Sequence, residues 1–547
     1  MRFASVVLGL ALAACSPSNG PQTGSQTNWL RACDTSEECG LGLECVCGAC
    51  TATCLTDPAC ADLPGATCVA ASDKGTIALC SGQAPPINLC LPRCGDDTCA
   101  AGTSCIAGVC MPTESKPAEV SIDPERQYQT LVGFGAGLGY AEDRIASHPD
   151  RESLYDVFFK DAGLDVLRVR NRYDDGDDPF SSTVSIVQAA KERIGRAPVL
   201  FMSSPTPPAS LKANDSRACK GDPLTCTLVT LPDGGFDYAG FANYWRSALE
   251  EYAEAGITPD YISIQSHPNW IAPAEVKLDA CLFLPEEGKT TVTVDDTPTE
   301  VTYPGYREAL EAVKRAIADL PTVPRIGAPE TGLVGVGDFV KALSASDFDA
   351  LAFHAYTVDP EDLGSLEAVR TLGEQRNRPI LQTEMQAEGL DTAVLIHHTL
   401  TTANASAYLQ NDLTSSNADS AGLALAYLTD EDFELQGTYY AFWHYAKRTG
   451  PGWVRVDAAG GPPGLLSSAW LAPDQSALTI VFVNPTDEDV ETKVVLPQAL
   501  GATLTRSVVT RTVFDGLERG TSLGALPETG VVRVPRGAVA TVFFQTE

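Results

Sequence analysis

Glu384 and His267 are the residues of this sequence best placed to do chemistry. Glu384 lies in PILQTEM (Pro379–Met385) and His267 in YISIQSHPNW (Tyr261–Trp270). Each run is apolar and β-branched and stops abruptly in polar residues, as a buried parallel strand does when it delivers side chains to the mouth of a barrel. A carboxylate at such a mouth can act as a nucleophile, and an imidazole, whose ordinary pKa is about 6.5, can donate a proton at neutral pH. Arg168, in VLRVRN (Val166–Asn171), supplies a cation. An arginine within roughly 4–6 Å of a carboxyl lowers its pKa by about 1–3 and keeps it ionised. Arg170 offers a second such group or a surface contact. His354 and Tyr356, in FHAY (Phe353–Tyr356), follow another apolar run and can orient Glu384 by hydrogen bonds. Phe134, Tyr140, Tyr173 and Trp270 are aromatic surfaces on which a ligand can stack.

Such residues need a frame that brings distant strands together. His267 and Glu384 are 117 residues apart, about three βα units of roughly 30 or more residues each. The fold class expected is therefore α/β, a (β/α)8 TIM barrel over 130–447, with its chemistry at the carboxyl ends of the strands. Its strands are expected at Thr130–Gly135, Val166–Val169, Pro198–Met202, Tyr261–Gln265, Arg325–Ala328, Ala350–Phe353, Ile380–Gln382 and Ser406–Leu409. Helical spacing of apolar residues marks Phe236–Ala255 and Pro304–Leu320. The insertion Leu278–Tyr303 carries a TTVTV run suited to a hairpin. Beyond the barrel, alternating runs at Ala477–Val483, Glu491–Leu496 and Val531–Val534 predict a β-sandwich over 448–547. The glycines of GFGAGLG have no dinucleotide-binding helix and acid behind them.

Together with TLVGFGAGLG (Thr130–Gly139), SSPTPPASLKAND (Ser203–Asp215) and GAPET (Gly327–Thr331), these motifs make the chain from about Glu119 onward resemble glycoside hydrolase family 30. That family comprises retaining β-glycosidases of clan A, glucosylceramidase-like, β-1,6-glucanase and xylanase-like. The resemblance implies that residues 119–129 form a strand of the C-terminal sandwich and that Thr438–Lys447 is the last barrel helix. It also implies Glu384 as nucleophile, Arg168 as its hydrogen-bonding arginine, and His354, Tyr356, Tyr140 and Trp270 as substrate contacts. One departure matters. The family's fourth strand ends Gln-Asn-Glu-Pro, with the Glu as acid/base. This chain reads Gln265-Ser266-His267-Pro268, so the acid carboxylate is gone and Ser266 replaces the Asn that holds the sugar 2-hydroxyl. The family often carries Trp near the position of Asn411. Glu142, Glu275 and Glu330 are candidates for a replacement acid. The resemblance thus implies a hydrolase-like protein acting on a β-linked polysaccharide or oligosaccharide. The alternative is an impaired pseudoenzyme that binds glycan without cleaving it.

Composition and targeting set the compartment. The chain has 547 residues and a net charge of −33, which disfavours nucleic acid and anionic lipid as partners. No cofactor and no metal is expected. Arg2, the short apolar run Val6–Ala14 and Leu12-Ala13-Ala14-Cys15 resemble a bacterial lipoprotein signal (residues 1–15), with Cys15 lipidated after cleavage. The mature chain is then an exported outer-membrane or cell-surface lipoprotein that meets the membrane only through its anchor. Residues 16–32 read as a linker, 33–110 as a disulfide-rich module and 111–118 as a second linker. Fourteen of the 18 cysteines fall in Cys33–Cys110, a density that reads as a disulfide framework holding a segment with little core. The spacing of Cys33, Cys39, Cys45 and Cys50 is nearly repeated by Cys94, Cys99, Cys105 and Cys110. A zinc reading of Cys47–Cys50 has no histidine in the segment to support it. Cys219 and Cys226 are expected to close a small loop, leaving Cys281 over.

Overall fold

The computed structural model describes residues 29–33, 36–39, 42–80, 82–95, 99, 103–112, 117–174, 179–272, 278–294 and 296–546. Cys15 with its leader, and Glu275, lie outside them. The chain separates into two compact units, Met1–Ser115 with Leu523–Thr529, and Lys116–Ser522 with Gly530–Glu547.

The larger unit contains a closed barrel of eight parallel strands. They are β1 Gly133–Gly137, β2 Val166–Arg170, β3 Val199–Ser203, β4 Tyr261–Ser263, β5 Arg325–Gly332, β6 Ala350–His354, β7 Ile380–Glu384 and β8 Ala405–Gln410. The strands are buried on both faces because helices cover the outside, which is why they read as near-continuous apolar runs. Gly135 has a specific reason to lack a side chain: a Cβ there would lie 1.8 Å from the Val166 carbonyl oxygen. β1 begins later than its sequence run suggests. Thr130 instead ends a long outer strand, Ala118–Thr130, paired with Val454–Gly460. β4 ends at Ser263 rather than Gln265, and the Gln265 side-chain amide donates to the Pro205 carbonyl at 2.6 Å.

Helices Tyr238–Glu254 and Tyr306–Ile317 occupy the periodic segments, burying Phe241, Tyr244, Trp245, Leu249 and Tyr252 on the first and Leu310, Val313 and Ile317 on the second. The insertion forms the hairpin Gly288–Val294/Thr297–Tyr303. After the helix Gly437–Ala446 the chain enters the C-terminal sheet, in which Ala118–Thr130 lies between Val454–Gly460 and Val490–Val495. The sheet thus draws on both ends of this unit. Among the described residues, no helix is long and apolar enough to cross a membrane.

The N-terminal module carries seven disulfides: Cys33–Cys45, Cys39–Cys50, Cys47–Cys80, Cys54–Cys68, Cys60–Cys90, Cys94–Cys105 and Cys99–Cys110. The repeated spacing gives the same pairing, first to third and second to fourth, in both copies. Cys47 and Cys50 are each bonded elsewhere, which removes the zinc reading. Disulfides do not hold the module alone. Trp29, Leu30, Leu43, Val69, Leu89, Leu91, Val109 and Met111 pack with the cystines into a small core. Trp29 and Met111, which the sequence reading places in linkers, belong to that core because burying their large side chains outweighs leaving them mobile. In the larger unit, Cys219 pairs with Cys226 and Cys281 is a buried free thiol.

Candidate active site

The carboxyl ends of the barrel strands open into a cleft of about 730 Å³. Glu384 ends β7 on its floor, with a side chain only 9% exposed. Its Oε2 lies 2.8 Å from Nη1 of Arg168 on β2. Its Oε1 accepts a hydrogen bond from the Tyr356 hydroxyl at 2.9 Å and faces His267 Nε2 at 3.1 Å. The Tyr356 hydroxyl in turn accepts from Asn411 Nδ2 at 3.0 Å. Burial alone would favour a neutral acid. His354, Arg168 and His267 outweigh it and hold the Glu384 carboxyl well below the usual range.

Arg168 serves a second carboxylate. Its Nε donates to Glu330 Oε1 at 2.9 Å, and its Nη2 donates to Ser266 Oγ at 3.0 Å. Ser203 Oγ donates to the other Glu330 oxygen at 2.5 Å. Burial raises the Glu330 carboxyl, but Arg168, His354 and Ser203 bring it down to about 2. Fully buried, with its two oxygens engaged by Arg168 and Ser203, Glu330 does not line the cleft as a replacement acid would. Glu142 is removed by geometry, since Arg170 clasps both of its oxygens at 3.0 and 3.1 Å. Arg170 is thus engaged by Glu142 rather than by Glu384, and its guanidinium also lies 4.0 Å from the Tyr140 ring centroid.

His267 follows β4 in a tight turn with φ of 49°, and its backbone N–H donates to the Glu330 carbonyl at 3.0 Å. The turn aims the imidazole at Glu384 and at His354, whose Nδ1 is 2.9 Å from His267 Nε2. His354 is fully buried and its pKa is lowered, chiefly by that burial. Its Nε2 has no hydrogen-bond partner, lying 3.5 Å from Glu330 Oε1 and 3.8 Å from Glu384 Oε2.

Of the aromatic candidates, Tyr140 (59% exposed) and Trp270 (45% exposed) line the cleft. Phe134 does not. It is fully buried against Tyr445 at 5.9 Å between ring centroids, because β1 turns it outward under the last barrel helix. Tyr173 packs on Tyr244.

The structure adds residues that the motifs do not mark. Leu278 and Val334 are exposed and form an apolar rim beside Trp270. Asp279 enters the cleft from the insertion, held by Arg217 at 2.8 and 3.1 Å. Asp412, two residues past β8, also lines the cleft, and among the described residues its carboxyl makes no hydrogen bond or ion pair. A Cβ on Gly139 would come within 2.4 Å of Asp412 Oδ1, so this approach depends on that glycine. Burial and the nearby Glu384 charge raise Asp412 to about 7. The one signal for it in the sequence is an acidic residue just beyond a strand end in AYLQND.

No family profile and no curated protein matches this sequence. Solved structures do. A glycoside hydrolase family 30 subfamily 8 xylanase from Clostridium acetobutylicum aligns with TM-score 0.58 and 20% identity over 78% of this chain and 100% of its own. The catalytic domain of a GH30 xylanase C from Talaromyces cellulolyticus gives 0.60 and 17% over 78% and 100%. The endo-β1,6-glucanase BT3312 gives 0.58 and 14% over 78% and 94%. At these identities the likeness is one of fold: the barrel and its appended sheet are built as in glycoside hydrolase family 30.

Proposed function

We propose that this chain acts on a β-linked glycan in the barrel cleft through a retaining-type site with Glu384 as nucleophile. The observation that carries the reading is the Glu384 carboxylate on the cleft floor, held ionised by Arg168 and oriented by Tyr356. In retention, a Glu384 oxygen bonds to the anomeric carbon as the glycosidic C–O bond breaks. The departing oxygen takes a proton, and water later displaces the ester. Export through the Cys15 lipobox and anchoring at a bacterial outer membrane or cell surface belong to the same reading. The disulfide-dense module supports an oxidising compartment.

The proton donor decides between hydrolysis and binding. Retaining sites place two carboxyls about 5–5.5 Å apart with the sugar between them. His267, at the position of the family's acid, instead lies 3.1 Å from Glu384 Oε1. With Tyr356 on the same oxygen, both of its in-plane lone pairs are engaged. His267 must turn away before Oε1 can attack or the imidazole can reach a leaving group. That contact favours a second reading, a glycan-binding protein with an impaired site.

Both readings meet in one experiment. A 2,4-dinitrophenyl 2-deoxy-2-fluoro-β-glycoside needs no acid to lose its leaving group, so it should glycosylate Glu384, releasing dinitrophenolate, with the labelled residue located by peptide mapping. Glycan binding without label at Glu384 would leave the binding reading standing alone.

A further inference from the structure

We infer that His267 Nε2, His354 Nδ1 and Glu384 Oε1 form a binding site for one divalent transition-metal ion of the zinc class, open on its cleft side. The inference goes beyond the glycan-acting reading and does not depend on it. Spacing is the first support. His267 Nε2 lies 2.9 Å from His354 Nδ1 and 3.1 Å from Glu384 Oε1, and one ligand atom from each of the three residues lies within 4.8 Å of the other two. Ligand atoms about 2.0–2.1 Å from a tetrahedral zinc sit roughly 3.3 Å apart, close to that spacing.

The proton count is the second support. His354 Nε2 is buried without a hydrogen-bond partner and faces two carboxylates, Glu330 and Glu384. Its proton belongs on that side, which leaves Nδ1 as a lone pair pointing at His267. His267 Nε2 then faces two acceptors, His354 Nδ1 and Glu384 Oε1, with one hydrogen to offer. An ion held by all three lone pairs removes this shortage.

Charge is the third. Glu330 and Glu384, both buried, share the one guanidinium of Arg168, two carboxylates on a single fixed cation. A buried charge without a counter-charge is costly, and a cation between Glu384 and the histidines supplies one. The surrounding groups are those a metal site needs. Arg168 and Tyr356 hold the carboxylate, and Glu330 stands behind His354 as a carboxylate behind a ligating imidazole. The His267 side chain is 25% exposed, leaving the remaining coordination position to water or a glycan hydroxyl. Two histidines and one glutamate with an open position match a known zinc ligand set. Occupancy ties up Glu384 Oε1, so the metal-loaded cleft holds its ligand with the nucleophile blocked.

The test is a cobalt(II) titration of the full chain after EDTA treatment, followed by displacement with zinc. One cobalt per chain is expected, with the visible bands of a low-coordinate nitrogen/oxygen site that zinc abolishes. His267→Ala should weaken binding by about 100-fold or more, and His354→Asn should do the same if it folds. Cys281→Ser should change nothing. His267 is partly exposed, so His267→Ala is the deciding variant once its thermal melt matches wild type. No stoichiometric cobalt, a thiolate-to-cobalt band lost in Cys281→Ser, or undiminished binding in His267→Ala would each overturn the site. Labelling of Glu384 by the fluoroglycoside in metal-free protein is scored separately. Failure there removes the hydrolytic reading and leaves the metal result as it stands.

Discussion

His444 and His354 are both withdrawn from solvent, 1% and 0% exposed, yet their surroundings differ in kind. His444, on the last barrel helix, bonds Thr541 Oγ1 at 2.8 Å through Nδ1 and Thr512 Oγ1 at 2.9 Å through Nε2. Hydroxyls rotate to give or take a proton as required, so the neutral ring is complete. His354 meets a second histidine on one side and two carboxylates at poor distance on the other. The first histidine fastens the barrel to its sheet. The second sits among groups whose protons and charges do not balance, a condition that clusters at sites of function. Incomplete partnering, rather than burial, separates the two.

The cleft side of this contrast is broken most severely by Glu384→Gln. Turnover of activated β-glycosides and covalent labelling should both fall to background, with glycan binding retained in a titration of the variant. Unchanged hydrolysis would move the nucleophile elsewhere.

Restoring the family's residue types should push the other way. Ser266→Asn with His267→Glu replaces the contact on Glu384 by a carboxyl acid, and general acid–base help is worth about 10²–10⁴-fold. Hydrolysis of unactivated β-glycans should rise by that order in an initial-rate assay. A wild type that already cleaves them, and loses that activity in the double variant, would make His267 a working acid.

Two arginines on the same face of β2 sharpen the charge argument. Arg168 is shared by Glu330 and Glu384, whereas Arg170 holds both oxygens of Glu142. Removing either strands a buried carboxylate, so Arg168→Ala and Arg170→Ala should each cost about 3–5 kcal/mol in denaturant unfolding. Only Arg168→Ala should also slow labelling of Glu384 in molecules that remain folded. Equal slowing in both variants would erase the distinction.

The smallest effect belongs to the sheet side. Burial lowers the His444 pKa from 6.5 to about 3. Between those values the unfolded chain takes up a proton that the folded chain refuses, so stability falls as pH falls through that window. The contribution is about 1.4 kcal/mol per pH unit. His444→Gln should reduce the slope of unfolding free energy against pH by that amount between pH ~6.5 and ~5, whatever it does to stability at neutral pH. An unchanged slope would mean that His444 protonates freely in the fold.

The local patterns of this sequence determined a good deal. Apolar runs at Val166, Ile380 and their counterparts could become little other than buried parallel strands, and strand ends put Arg168, His354 and Glu384 at one mouth. The twice-used cysteine spacing marks two stretches built alike, while which cysteine meets which was decided by the folded module. What tertiary structure alone decided is who touches whom across the cleft. Glu330 reads as a spare acid until barrel closure sets Arg168 against it. Phe134 reads as a stacking surface until β1 turns it outward. Asp412 has no motif and matters only because Gly139 lets it in. Above all, His267 rests on Glu384, 3.1 Å away across 117 residues of chain. Strand periodicity says which side chains face the mouth. The distances among them depend on barrel closure, on turn geometry such as the positive φ of His267, and on side-chain torsions, none of which is written in any one segment.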